Sequence, residues 1–304
     1  MRGNSEKTKR LAKIFSPAKI NLFFAVTGNR KDGYHSVFSA IFALAFGDEL
    51  EIFAAEKLRD EVSCEADFFD AEKNSVVTAL NIFRQRTSID QHFSVQLKKN
   101  IPAEAGFGGG SSNGARTLIG LNCINENILS DGELIALSRT IGADCPFFVK
   151  STPSMATGIG DVLDPIDGEM VGALKNYNLL IFKPKFAVNT GGAYAELREN
   201  FAHLYIDEGE AERRFLLLRN AIVAGEKTLP LFNTFAGMFF QQHGDLLNLC
   251  RDLKRIGANA MLTGSGSGFF CLVHRSTPIG SVEMTIKRAI GPNSFCLQTS
   301  FMLF

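Results

Sequence analysis

The sequence predicts an α+β fold in two lobes, on three observations. Its 304 residues exceed what one core holds, since single cores stop growing at about 250–300 residues. Strand and helix patterns are mixed without the strict alternation of a doubly wound parallel sheet. The chain also opens on alternating apolar residues and closes as strand, glycine turn, strand, helix, strand. With 45% hydrophobic and 21% charged residues, it lacks the high charge and low hydrophobicity of a disordered chain.

Along KINLFFAV (19–26), Ile20, Leu22, Phe24 and Val26 share one face and Lys19, Asn21, Phe23 and Ala25 the other, as on a strand. A turn rich in Gly, Asn and Asp follows, then Tyr34-His35, the apolar stretch VFSAIFALAF and, after Gly47-Asp48, a further strand, ELEIF. Asn74 is placed to cap a helix whose apolar residues Val76, Val77, Leu80 and Phe83 recur at helical spacing, and HFSVQLKK alternates as a strand. Beyond a glycine-rich loop, helices are expected over 111–122 and 131–141. TGIGDVLDPIDGEMVG (157–172) is dense in turn formers and reads as the crossover between lobes, which puts the domains at 11–160 and 161–304. NLLIF then reads as a strand, with helices near 193–199, 211–223, 235–242 and 246–256. The end is NAMLT, GSGSG, FFCLV, a helix over Ile279–Ile290 and SFCLQTSFML.

The 32 Lys plus Arg balance 32 Asp plus Glu, so the chain lacks the diffuse positive field that grips duplex nucleic acid. Cys64, Cys123, Cys145, Cys250, Cys271 and Cys296 are scattered with no C-x-x-C pair. That suggests neither a zinc site nor a disulfide framework and fits buried thiols in a reducing compartment. The start, MRGNSEKTKRLAKIF, is basic but has no signal-peptide core, and no run approaches the ~18 apolar residues of a membrane span. A cytoplasmic protein with a solvated basic arm is expected. The 27 Phe can fill core; the 28 Gly need placing.

IPAEAGFGGGSSNGA (101–115) puts five glycines in the nine residues from Gly106 to Gly114, between a strand and a helix. Glycines let backbone N–H groups converge on a ligand, and a helix start adds unpaired donors and the positive end of its dipole. A phosphate chain is the natural guest. The plainer alternative is a flexible linker ending in a Ser cap, but a linker would not run straight into an amphipathic helix. Ser111 and Ser112 offer hydroxyls to the phosphates or to a magnesium ion. The loop is neither G-x-x-x-x-G-K-[ST] nor G-x-G-x-x-G, which disfavours the P-loop fold and a dinucleotide site, and no HRD or DFG triplet occurs, which removes the protein kinases. Taken alone, Lys19 reads as a solvated strand lysine and Asp144, in GADCPFF, as a turn former. Together with the loop they supply the three things phosphoryl transfer needs: a base for the attacking hydroxyl, a cation and a phosphate cradle.

SPAKINLFFAVTGNRKDGYH, IPAEAGFGGGSSNGA, IGADCPFFVKSTPSMATGIGDVL and LTGSGSGFF resemble, in order and spacing, the signatures of the GHMP kinases. The resemblance spans most of the chain. It implies a two-lobed α+β fold with a β-rich N-terminal ATP-binding lobe and a C-terminal ferredoxin-like α/β lobe. It further implies a small-molecule kinase that uses ATP and Mg2+, and the first and third signatures point to members of the family whose substrate carries a cytidine diphosphate group and a tertiary hydroxyl. The family's catalytic Lys then falls on Lys19 and its catalytic Asp on Asp144; Asp144 would accept the hydroxyl proton, and Lys19 would offset the charge there and at the attacking oxygen. Asn21 would orient the substrate. Tyr34 and His35 would hold the cytosine with Tyr194, placed by its spacing after Thr190, and Gly264, Ser265 and Gly266 match the third glycine motif near the substrate. On the ATP side the resemblance covers Pro102, Ala103, Glu104, Ala105, Gly106, Phe107, Gly108, Gly109, Gly110, Ser111 and Ser112, with adenine contacts near Asn74 and Lys99. It assigns no protein ligand to Mg2+.

Three positions depart from the family pattern: Glu104 where a small or apolar residue is usual, Phe107 for Leu and Gly114 for Ala. Glu104 is expected to face solvent. Competing readings are a GHMP kinase for another small alcohol, such as homoserine or mevalonate, an inactive ligand-binding relative, and a nucleic-acid-binding module, against which the zero net charge counts. Oligomeric state stays open, and the Phe-rich segment 200–244 carries no recognised motif.

Overall fold

The computed structural model describes residues 9–66, 70–72 and 74–303; the first eight residues of the basic arm lie outside them. In chain order the elements are β1 (Arg10–Asn29), β2 (His35–Ala54), β3 (Glu61–Cys64), α1 (Ser75–Thr87), β4 (Phe93–Lys98), α2 (Gly109–Ile124), α3 (Asp131–Arg139), α4 (Cys145–Lys150), β5 (Ser154–Thr157), β6 (Val162–Pro165), α5 (Gly168–Ala173), β7 (Tyr177–Lys183), α6 (Thr190–Asn200), α7 (Glu208–Val223), α8 (Thr234–Gln242), α9 (Gly244–Arg255), β8 (Ala258–Leu262), β9 (Phe269–His274), α10 (Ile279–Ile290) and β10 (Phe295–Thr299). They form two compact units. One comprises the chain up to Ala18 with Phe46–Ile101 and Gly109–Lys150; the other comprises Lys19–Ala45, Pro102–Gly108 and the chain from Ser151 on. Among the described residues no helix is long and apolar enough to cross a membrane.

In the first unit, β4 pairs antiparallel with the end of β2, from Glu49 opposite Lys98 to Ala54 opposite Phe93, and parallel with β3. Asn74 caps α1 as its residue type predicts, accepting from the N–H groups of Val76 and Val77 at 2.9 and 3.0 Å. Ser130 and Glu133 form a capping box at the start of α3. Helix α2 lies close on the strands: a Cβ at Gly120 would overlap the Ile14 side chain. The unusual Gly114 has the same kind of cause, because a Cβ there would meet Ser75 and Ile141 at 3.0 Å.

In the second unit, the beginning of β2 pairs antiparallel with β5, and β5 with β6. A separate antiparallel sheet has the order β10-β7-β9-β8. Leu180 and Phe182 of β7, Phe269, Cys271 and Val273 of β9, and Ala258 and Leu262 of β8 join one core with Leu246, Leu249 and Leu253 of α9 and Val282 and Ile286 of α10. The period of two on the strands meets the i, i+3, i+4 and i+7 spacing on the helices, so each element buries one face. Phe182 and Phe269 stack within it, ring centroids 5.1 Å apart. Fully burying an aromatic side chain of this size contributes about 1.5–3 kcal/mol.

Within 157–172 the turn formers shape regular elements: Gly158 and Gly160, at φ +67° and +104°, make the tight turn of the β5–β6 hairpin, and Asp167 caps α5 by accepting from Met170 N–H at 3.0 Å. One expectation is corrected: Gly47 and Asp48 do not interrupt the strand, since β2 runs through them. Gly47 is glycine because a Cβ would overlap the Ser16 carbonyl oxygen, and such close backbone approach is the other common use of glycine in a strand. Gly47→Ala should therefore destabilise the protein by about 1–3 kcal/mol, read as a lower urea midpoint with unchanged slope.

Candidate active site

In the second unit β1 carries Lys19 and Asn21 on one face, 4% and 2% exposed. Lys19 Nζ donates to Asn21 Oδ1 at 2.7 Å, Asn21 Nδ2 donates to Ser39 Oγ at 2.8 Å, and Ser39 donates to the Phe23 carbonyl at 2.9 Å. Each polar group in the row thus has its neighbour as partner, as burial requires. The backbone of the same two residues reaches both glycine turns. Lys19 N–H donates to the Phe107 carbonyl at 2.9 Å and Asn21 N–H to Thr263 Oγ1 at 3.0 Å. The turns also meet each other: a Cβ on Gly106, at φ +72°, would overlap the Thr263 carbonyl, and one on Gly268 would overlap that of Ala105. Gly264, at φ +56°, sits where a Cβ would be 3.4 Å from Asn21 Oδ1. Ser265 donates to Thr190 Oγ1 at 3.1 Å.

Pro102 is half-buried, Ala103 and Glu104 are exposed, and Ala105 is buried. Phe107 turns its ring inward against Phe295, centroids 6.2 Å apart, so only its backbone is left for a ligand. The base-binding candidates also lie in this unit. His35 is 6% exposed and Tyr34 58%. The Tyr194 ring lies against the imidazole, centroids 4.8 Å apart and 35° between planes. Among the described residues the buried His35 Nε2 has no hydrogen-bond partner. Burial, and secondarily the Arg198 charge, holds the imidazole below its ordinary pKa of 6.5.

The first unit holds the other candidates. Asp48, fully buried, pairs with the Lys99 ammonium and accepts from the N–H groups of Asn100 and Ile101 at 2.7 and 2.8 Å. Lys99 is therefore held at the start of α2, where a Cβ on Gly109 would lie 3.1 Å from its Nζ. Ser75 Oγ donates to the Gly110 carbonyl at 2.6 Å, while the Asn74 amide next to it is occupied in capping α1. In the first turn of α2, Ser16 Oγ donates to Asn113 Oδ1 at 2.7 Å and lies 2.8 Å from Ser112 Oγ. Ser111 hydrogen-bonds the Cys145 thiol, whose pKa burial pushes up to about 12. Asp144, half-buried, directly precedes α4.

A family model described as the GHMP kinases N terminal domain matches residues 74–152. A 4-diphosphocytidyl-2-C-methyl-D-erythritol kinase of Protochlamydia amoebophila is 33% identical over 268 residues, 88% of this chain and 86% of that one. The chain belongs to this family of GHMP kinases. As a member of it, the chain is a small-molecule kinase with ATP as co-substrate. The crystal structure of a 4-(cytidine 5'-diphospho)-2C-methyl-D-erythritol kinase superposes with a TM-score of 0.74 at 26% identity, over 95% of this chain and 98% of that one. A homoserine kinase from Cytophaga hutchinsonii superposes at 0.72 with 16% identity, over 99% and 97% of the two chains, and shares the fold.

Asn233 and Tyr205 are among the residues of the unmapped segment 200–244 that join these motifs. Asn233 Nδ2 donates to the carbonyls of Leu262 and Gly264, both at 2.9 Å, and its Oδ1 accepts from Phe235 N–H. Tyr205 stands edge-on to His35 at 6.0 Å. An Asn followed by Thr before an apolar helix was a legible cap signal; its hold on the third glycine turn was not.

Gly106→Ala should cost about 2–4 kcal/mol, from overlap together with the positive φ, and a thermal melt measures it. For His35, the folded imidazole binds its proton more weakly than the unfolded one. Its contribution to stability is complete above pH 6.5 and is lost as the pH falls from there through the lowered folded value. Urea unfolding between about pH 7.5 and about pH 5 should show stability falling with pH, and His35→Gln should flatten that fall.

Proposed function

We infer that the protein transfers the γ-phosphoryl group of ATP to a hydroxyl of 4-diphosphocytidyl-2-C-methyl-D-erythritol. The observation that carries this choice among GHMP kinase substrates is the contact of His35 with Tyr194, its buried Nε2 without a partner among the described residues, next in sequence to the exposed Tyr34. A pyrimidine offers faces to stack and an edge to hydrogen-bond; homoserine and mevalonate have no ring. In this reading Asp144 accepts the proton of the attacking hydroxyl while a P–O bond forms to that oxygen and the bond to the departing ADP oxygen breaks. Lys19 offsets the charge gathering at the acceptor, its ammonium aimed by the bond to Asn21 Oδ1. Asn21, held by Ser39, orients the substrate, and Thr190 and the Gly264–Ser265–Gly266 turn line its phosphate side. The N–H groups of Gly108, Gly109 and Gly110 and the start of α2 hold the ATP phosphates.

Mg2+ takes most of its ligands from nucleotide phosphates and water and needs only one or two protein oxygens. The Ser111 and Ser112 hydroxyls in the first turn of α2 suit that, and Ser111 is the better exposed. The ion would neutralise charge on the phosphates. The reading includes a nucleotide-binding part, 11–160, which contains the matched family segment, and a second part, 161–304. It also places the protein in the cytoplasm, for which the six free cysteines are the support.

ATP consumption should require the cytidylyl substrate, and turnover of homoserine or mevalonate in its place would overturn the assignment. Asp144→Asn and Lys19→Ala should each lower kcat by about 100-fold or more. A wild type no faster than these variants would mark an inactive relative. Gly110 has open space around it and no positive φ, so Gly110→Ala should leave the melting temperature unchanged yet raise the KM for ATP by about tenfold, through the lost backbone approach.

A further inference from the structure

The stretch between α6 and α7 reaches the base-binding side chains. Tyr205 closes the short 3-10 turn Ala202–Leu204 and is half-buried against the core of its unit. Its ring meets the His35 imidazole edge-on, centroids 6.0 Å apart and 88° between planes, while Tyr194 lies on the imidazole at 35°. Its hydroxyl donates to Asn29 Oδ1 at 3.2 Å, and Asn29 is the last residue of β1, just before the turn that leads to Tyr34 and His35. The following residue, Ile206, donates its N–H to the Val26 carbonyl at 3.4 Å. Tyr205 is thus tied to β1 by its own hydroxyl and by its neighbour's backbone, and its ring forms a second aromatic wall of the imidazole.

We propose that Tyr205 is a positioning residue for His35: its ring fixes the plane of the imidazole, and so sets how tightly the base of the substrate is held. An imidazole free to turn about its two side-chain torsions would have to be ordered when the base binds; one already walled on two sides carries less of that cost. The segment without a motif therefore serves recognition through the Tyr-His pair. The role in substrate affinity rests on the function proposed above; the contact with His35 does not.

The test uses Tyr205→Ala and Tyr205→Phe in the full chain. With ATP and 4-diphosphocytidyl-2-C-methyl-D-erythritol, Tyr205→Ala should raise the KM for the cytidylyl substrate about fivefold to tenfold, the scale of one aromatic pair. Its kcat and its KM for ATP should stay within about twofold, and Tyr205→Phe, which keeps the ring, should recover most of the lost affinity. An unchanged KM for the cytidylyl substrate in Tyr205→Ala, or an equal rise in both KM values, would overturn the proposal. A second measurement needs no substrate. The His35 imidazole proton signals, identified by their loss in His35→Gln, should shift in Tyr205→Ala and stay in place in Tyr205→Phe; signals unmoved in both variants would overturn it as well. A wild type without turnover would overturn the proposed function, while the imidazole signals would still decide the role of Tyr205.

Discussion

Strand β1 bonds through its backbone to two glycine turns, and the placement of Lys19 and Asn21 depends on it. The Phe107 carbonyl and the Thr263 hydroxyl take the N–H groups of these two residues, and the turns themselves touch where Gly106 faces Thr263 and Gly268 faces Ala105. At such separations no Cβ fits between the chains. Glycine at these two positions answers a packing constraint. Strand alternation then dictates that Lys19 and Asn21 point to the same side, where a row of hydrogen bonds aligns the ammonium.

In the first unit the organising feature is a buried charge. Taking a carboxylate fully out of water costs several kcal/mol, and Asp48 offsets that with one ammonium and two backbone N–H groups. All three partners lie in Lys99, Asn100 and Ile101, the residues that lead into the glycine loop. The same ammonium lies beside Gly109, where α2 begins. One carboxylate therefore registers the residues on both flanks of the loop.

In the Phe-rich segment 200–244, two polar side chains reach residues of the recognised motifs. Asn233 uses both ends of its amide, donating to two carbonyls of the third glycine turn and capping α8. Tyr205 spans from the end of β1 to His35. Both act on residues that the recognised motifs contain, and neither belongs to such a motif itself.

By itself the sequence determined the α+β class and most strands and capped helices, because these rest on local periodicity, on side chains bonding within three or four residues, and on residue type. Asn74 capping α1 is such a case, with its partners two and three residues away. Only the tertiary structure decided what Gly47 and Asp48 do, since a glycine that admits a neighbouring backbone looks the same in a sequence as one that makes a turn. It also placed the turn formers of 157–172 in a hairpin turn and at a helix cap. The roles of Tyr205 and Asn233 were equally out of reach: Tyr205 meets Asn29 across 176 positions and Asn233 meets Gly264 across 31. Contacts at such separations are set by how the chain packs, and no local pattern encodes them.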